Sequence, residues 1–507
     1  MSNQLKLSSK LISFLGSRRF FIAIIVLFVL ESAWIALSAR YPQAFDEQFH
    51  LGIIKLYAHQ WGPFFSQQPA GADAFGAVAR DPSYLYHYLM SFPYRLIAHF
   101  TDSLTTQVII LRFINIALLG SALPVFKRVL QYTKASPTLV HLILFGFVLT
   151  PVVPLLASQI NYDNLTVPLT GLAIWCCLRF LGYLRVDKMW RWDIVLQLAI
   201  IGLLGSLVKY AFLPIFAALA LIILIAWFRQ RQPRLRYIWP GRFKLISLLA
   251  VGLVSLGLFM QMYGVNTVRY HTPTPECNQV LSAQRCQAYG PWARNYNDQQ
   301  HKLTLSPVQI VGYPVFWAYR SMGELVFTVA SGFNDTGGVD YWVGTQFIVM
   351  EVLTWSVLGV GSLLALYYVK RIWHQEVLRV FLIVIGLYAM ALLGQNYLDY
   401  LKAGQPEAIH GRYLLPILPL IYTIVAMAIY YAFNNAHVIR FSNIKRQAGI
   451  VAVVMVLLLI EGGGFVTYIV RSDPNWFWPQ SASAQSVNAN AKKVLKPLVL
   501  DIGKKQQ

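Results

Sequence analysis

Residues 41–50 read Tyr-Pro-Gln-Ala-Phe-Asp-Glu-Gln-Phe-His, so two carboxylates, Asp46 and Glu47, stand within four positions of the His50 imidazole. In a helix Asp46 and His50 share a face at i,i+4, and Glu47 and His50 at i,i+3. A carboxylate at a partly dehydrated surface suits general-base work, because burial raises its pKa toward the working pH. Asp46 is the first choice as base and Glu47 the second, with His50 orienting a carboxylate or contacting a substrate. The plainer alternative is that these acids face water where an apolar run has ended. Ala408 to Pro416, Ala-Ile-His-Gly-Arg-Tyr-Leu-Leu-Pro, adds His410 and Arg412, and Leu-Val-Lys-Tyr-Ala at 207–211 adds Lys209. Cations beside apolar runs commonly snorkel to water, but here they also suit a phosphate group. Asn161 and Asp163, in the turn 159–164, supply further polar side chains.

These residues need elements to hold them. The chain has 507 residues, of which 57% are hydrophobic and 12% charged, against roughly 25% charged in soluble globular proteins. So few charges cannot cover a soluble fold of this size. A soluble enzyme, a disordered chain and a disulfide-rich secreted module are excluded. The expected fold is an all-α polytopic membrane protein, a single integral membrane domain over 1–507 with about eleven spans of roughly 20 residues. The first apolar run is Phe20 to Ala39, read as an uncleaved span because its core is long and contains Glu31. The others are 104–126, 138–157, 164–183, 193–209, 211–228, 245–263, 344–369, 377–397, 413–433 and 448–469.

The formal net charge of +21 comes from 42 Lys and Arg against 21 Asp and Glu. A nucleic-acid binder would gather its basic residues on a folded soluble face. Here they form short clusters between apolar runs, as the positive-inside rule describes, so no nucleic-acid partner is expected. Placing 1–19, 127–137, 179–192, 229–244, 370–379 and 434–447 in the cytoplasm puts 23 of the 42 basic residues in those short segments. That assignment needs 83–100, which contains Pro93, Arg95 and two histidines, to lie along the outer surface as an interfacial helix. In it Tyr84, Tyr86, Tyr88, Phe92 and Tyr94 are expected mostly to meet lipid headgroups, with stacking on a sugar as the alternative. The N-terminus is then cytoplasmic and the C-terminus external. Cysteine-accessibility labelling at Ser136 and Ser483 checks this map: Ser136 should resist an impermeant reagent on intact cells and Ser483 should react.

Two large external segments follow, 40–103 and 264–343, with an external tail from 470 to 507. The tail has interfacial Trp476, Trp478, Lys492, Lys493 and Lys496. Cys277 and Cys286 lie in the second segment, where the oxidising side permits a disulfide. Cys176 and Cys177 fall in an apolar run and are expected to face lipid or core. No metal-ligand spacing, Walker loop or dinucleotide fingerprint occurs. Glu31 and Arg112 both fall roughly 12 Å inside the outer surface at 1.5 Å per residue, so a pair between adjacent helices is expected. A polar wall of a lipid groove is the alternative use for them. Glu351 and Glu461 reach a similar depth.

Asp46-Glu47-x-x-His50 after the first span resembles the acidic first-loop motif of GT-C membrane glycosyltransferases. It is most similar to an uncharacterised bacterial branch with a Pro-Asp-Glu-x-x-His loop. That branch also tends to carry an Asn-x-Asp turn, matched by Asn161 and Asp163, a Lys after an apolar run, matched by Lys209, and a Gly-Arg-Tyr-Leu-Leu-Pro segment, matched by Gly411 to Pro416. The matches run in order over roughly 40–420, and Phe45 departs from the pattern by replacing Pro. The resemblance implies a GT-C-like bundle with its site at the external membrane surface. It also implies transfer of a sugar from a polyprenyl-phosphate carrier to a cell-envelope glycan or lipid acceptor, with inversion. Lys209, Arg412 and His410 would then hold the donor phosphate. No cofactor is required, since two cations can stabilise a leaving monophosphate, and a divalent metal stays an open alternative. The competing readings are a transporter or flippase using the intramembrane charges, and a polysaccharide polymerase. Against transport stands the lack of an internal repeat or paired broken spans.

Overall fold

The computed structural model describes residues 10–39, 41–43, 46–229, 236–325, 348–434 and 481–498, with 454, 456, 466, 469 and 470 as isolated positions. These residues form an α-helical membrane protein. Six helices are long and apolar enough to cross a bilayer: Arg18–Ser38, Leu104–Gln131, Asp163–Val186, Tyr210–Arg229, Arg242–Tyr270 and Glu376–Ala403. Four further apolar helices, Pro137–Val148, Trp192–Val208, Trp355–Tyr367 and Leu418–Phe433, are shorter. Local sequence explains two of the short ones. The run 138–157 is interrupted at Thr150-Pro151 and resumes as Val152–Ala157, because proline supplies no N–H to continue the ladder. The run 413–433 opens as a single 3₁₀ turn, Gly411–Leu414, before the helix Leu418–Asn434. The eleventh expected run, 448–469, lies outside the described residues apart from isolated positions, and so do Glu461, Trp476, Trp478 and the side chain of Glu351.

The bundle buries one large apolar core. Phe28, Phe126, Phe147, Phe180, Phe212 and Phe381 are all enclosed within it. Cys176 and Cys177 are buried and unbridged. A two-stranded parallel pairing, Met189–Arg191 with Arg236–Ile238, ties two loops at one end of the bundle. There Asp193 takes both Arg191 and Lys244.

At the other end the chain builds a cap on the helices. Residues 47–58 form the helix Glu47–Ala58, which packs against the helix Leu85–Phe100. Their shared apolar cluster includes Leu51, Ile54, Tyr57, Tyr84 and Tyr86. The expectation that most aromatics of 84–94 face lipid headgroups is therefore corrected for Tyr84 and Tyr86, whereas Phe92 is exposed and Tyr88 and Tyr94 are half-buried. Tyr84 and Tyr86 are buried, and the Tyr86 hydroxyl donates to Asn115 Oδ1 at 2.8 Å. Tyr88 donates to the Trp61 carbonyl at 2.8 Å. Tyr84 and Tyr86 thus pack in the apolar cluster between the two cap helices.

The segment after Arg242–Tyr270 folds over this cap. Cys277 and Cys286 are joined by a disulfide between two single-turn helices, Cys277–Val280 and Ala283–Cys286. Arg285 grips Asp73 with two bonds of 2.8 and 2.7 Å, and the Tyr289 ring lies 5.9 Å from that of Phe49. The disulfide-tied turn thus rests on the element that carries Asp46 to His50. Residues 326–347 of this segment lie outside the described ones.

Candidate functional site

The first-loop helix is anchored by a charge inside the bundle. Glu47 accepts from Arg112 Nε at 2.8 Å and from Nη2 at 2.7 Å, with both side chains fully enclosed. Two backbone amides, Gln43 at 2.8 Å and Ile160 at 3.3 Å, complete its shell. Arg112 Nη1 reaches the carbonyls of Ala36 and Ala39 at 2.9 and 2.7 Å, where the first span ends. A fork-on-fork pair with its remaining lone pairs and N–H groups satisfied is the form in which a buried ion pair is tolerable. Two expectations change. Among the described residues the ion-pair partner of Arg112 is Glu47 rather than Glu31, although Glu31 is buried. Glu47 is also no longer the second candidate base, since its oxygens are committed and closed to solvent.

One turn along the same helix Asn115 continues this floor. Its Oδ1 accepts from Tyr86, from Asn164 Nδ2 at 2.9 Å and from the Asn161 amide at 3.3 Å. Asn161 Oδ1 in turn caps the Asp163 amide at 2.9 Å, as an Asx residue does at the start of a helix. Asn161 therefore shapes the turn, and Asp163, the first residue of Asp163–Val186, is presented above it.

Asp163 meets Lys209. The Nζ–Oδ1 distance is 2.5 Å, with both side chains buried. The Lys209 ammonium lies 4.7 Å from the centre of the Tyr162 ring and 4.5 Å from that of Tyr413, so two aromatic faces and one carboxylate enclose it. Burial lowers its pKa below the ordinary lysine range, Asp163 opposes that, and the neighbouring Arg412 adds to it. Lys209 occupies the short link between Trp192–Val208 and the turn Tyr210–Phe212 in an extended conformation, which aims it across the bundle end.

Arg412 closes the group. Its Nη2 lies 2.7 Å from Asp46 Oδ2; the arginine is buried, whereas the Asp46 side chain is 54% exposed. Asp46 holds a left-handed backbone, φ 69° and ψ 26°, a conformation that aspartate and asparagine tolerate better than most residues. Gly411 precedes the arginine because nothing larger fits: a Cβ there would come within 2.6 Å of the backbone at Glu324 and Leu325. Glu324 Oε2 accepts from the Gly411 amide at 3.2 Å and stands 3.2 Å from His410 Nδ1. His410, expected on a donor phosphate, is engaged in this contact, which fixes the 3₁₀ turn that aims Arg412.

Asp46, Asp163, Lys209 and Arg412 thus come from stretches separated by as many as 366 positions and meet at one end of the bundle. His50 joins them from the side, its ring 4.6 Å from that of Tyr162 and edge-on to it. Tyr162 and Tyr413, which flank Lys209, stood inside the motifs without a role, and the available signal was that each adjoins a charged site residue, Asp163 and Arg412. Arg112 and Asn115, three positions apart within an apolar run, were a second signal, since intramembrane polar residues turn inward. His87 and Glu324 carried no comparable mark. Among the described residues no group of three or more His, Cys, Asp or Glu is arranged to hold a metal. Comparison with known proteins finds no family model that matches this chain, and no similar protein among curated ones.

Proposed function

We propose that this cluster transfers a sugar from a polyprenyl-phosphate carrier to a hydroxyl of a glycan or lipid acceptor at the external membrane surface. The observation that carries the reading is the double pairing Asp46–Arg412 and Lys209–Asp163 around the Tyr162 and Tyr413 rings. It supplies an accessible carboxylate beside two buried cations, at the loop end of apolar helices where a lipid-linked substrate would arrive. In the proposed step the acceptor oxygen forms a bond to the anomeric carbon as the bond from that carbon to the phosphate oxygen breaks. The lipid monophosphate leaves with the electron pair, and Asp46 takes the acceptor proton.

The Asp46–Arg412 pair fits this chemistry as a resting state. A donor phosphate competes for the guanidinium and so frees the Asp46 carboxylate to receive the acceptor proton. Lys209 contributes charge from behind, held by Asp163. Such fixed cations stabilise charge developing on the leaving oxygen. Under this reading Arg412→Lys keeps the charge and loses the two-pronged geometry. Donor KM should rise and kcat fall, about tenfold in kcat/KM for a lost bond of roughly 1.4 kcal/mol. Steady-state kinetics with varied donor checks it. The direct test of the function is to present purified protein with a panel of radiolabelled polyprenyl-phosphate sugars and extracted envelope acceptors, and to measure label transfer.

A further inference from the structure

A buried histidine pair at the edge of the site takes no part in the proposed transfer step. His50 and His87 are both nearly inaccessible, 2% and 1% exposed, and their rings meet edge to edge, 19° from parallel, with centres 5.2 Å apart. His50 Nδ1 stands 2.9 Å from His87 Nε2. His87 Nδ1 stands 3.2 Å from the Ser83 carbonyl, which can only accept. The partners therefore fix the protons. His87 donates through Nδ1, so its Nε2 is a lone pair; His50 then donates through its own Nδ1, so its Nε2 is also a lone pair. Among the described residues that last nitrogen has no hydrogen-bond partner. We infer that His50 Nε2 is a fixed, neutral acceptor that receives a hydrogen bond from a hydroxyl of the donor sugar, with His87 and the Ser83 carbonyl as its positioning relay.

Charge and burial agree with a neutral role. Burial, then His87, Arg412 and Lys209, hold the His50 pKa well below the ordinary histidine range, and burial takes His87 down to about 3. An imidazole so disfavoured as a cation is a poor proton store but a good acceptor. The two carboxylates of the site face its cations, Asp46 on Arg412 and Asp163 on Lys209, so His50 Nε2 is the neutral acceptor available to a sugar hydroxyl. Distance points to the donor sugar: His50 and Lys209 contact the same Tyr162 ring. A sugar on a phosphate held by Lys209 and Arg412 would carry hydroxyls about one ring-width further on. A polar partner built into an enclosed site discriminates strongly against substrates that lack the matching group.

This inference rests on the proposed glycosyl transfer, and the experiment separates the two. Protein labelled with ¹⁵N at histidine is placed in lipid nanodiscs, and the tautomers of His50 and His87 are read by NMR at neutral pH. The His50 signals are assigned by comparison with His50→Gln. Polyprenyl-phosphate sugars of the radiolabelled panel, and sugar-free polyprenyl phosphate, are then added. Both histidines should be neutral with the proton on Nδ1. The Nε2 signal of His50 should move upfield with a sugar-bearing donor and stay still with the bare lipid phosphate. With the active donor, His50→Ala should lower kcat/KM about tenfold, and His50→Gln, which keeps an acceptor oxygen, should recover part of it. An imidazolium or an Nε2–H tautomer overturns the inference, as does an Nε2 signal that no panel sugar moves. Label transfer by wild-type protein together with an unmoved Nε2 signal rejects the inference alone. Absence of transfer with every panel member rejects the function.

Discussion

Asp46→Asn should reduce sugar transfer to about 10⁻² to 10⁻⁴ of wild type, the usual cost of losing a general base. The loss should fall on kcat with little change in donor KM, because proton transfer is made only in the transition state. The substitution is clean for a physical reason. Asparagine accepts the left-handed backbone at φ 69°, and its amide oxygen can still receive the Arg412 N–H that the carboxylate holds at 2.7 Å. Local geometry and the cationic pocket should therefore survive, and the variant should retain binding of the donor. A fall in stability comparable with the fall in activity would point to Asp46 as a strut for Arg412.

The largest stability effect should come from Arg112→Met. It removes the cation from a pair whose two side chains are fully enclosed, leaving Glu47 buried with only its amide partners at Gln43 and Ile160. Breaking a buried pair in this way costs about 3–5 kcal/mol. The carbonyls of Ala36 and Ala39 lose their donor as well. The double variant Arg112→Met with Glu47→Leu removes the orphaned charge, so its cost should be less than the sum of the two single costs. Denaturant unfolding in mixed micelles measures the three values. Strict additivity would show that the pair is not coupled.

How much of this was legible in the sequence depends on the kind of interaction. The apolar runs announce themselves by composition, and ten of the eleven coincide with helices, because burial in lipid or core needs only continuous apolar surface. Their lengths were less legible. Thr150-Pro151 and the turn at Gly411–Leu414 break runs that hydropathy joins. The residues Asp46, Lys209, Arg412, Asn161 and Asp163 were legible as polar groups at ends of apolar runs. Which acid faces which cation was not, because that is set by helix packing. Glu47 and Asp46 are neighbours in sequence, yet the helix start turns Glu47 inward to Arg112 and leaves Asp46 toward solvent and Arg412. Pairing Glu31 with Arg112 by depth failed for the same reason: depth fixes one coordinate, and the rotation of each helix fixes the partner. The His50–His87 contact joins two cap helices that no spacing relates.

The central claim is that Asp46, Lys209 and Arg412 work on a lipid-phosphate sugar. It is tested most directly by label transfer from the panel of polyprenyl-phosphate sugars, run side by side with wild type, Asp46→Asn and Arg412→Lys at matched folded protein. The account predicts transfer by wild type with at least one donor, near-complete loss in kcat for Asp46→Asn, and a raised donor KM for Arg412→Lys. Transfer by Asp46→Asn at the wild-type rate, or no transfer by wild type with any donor, would contradict it.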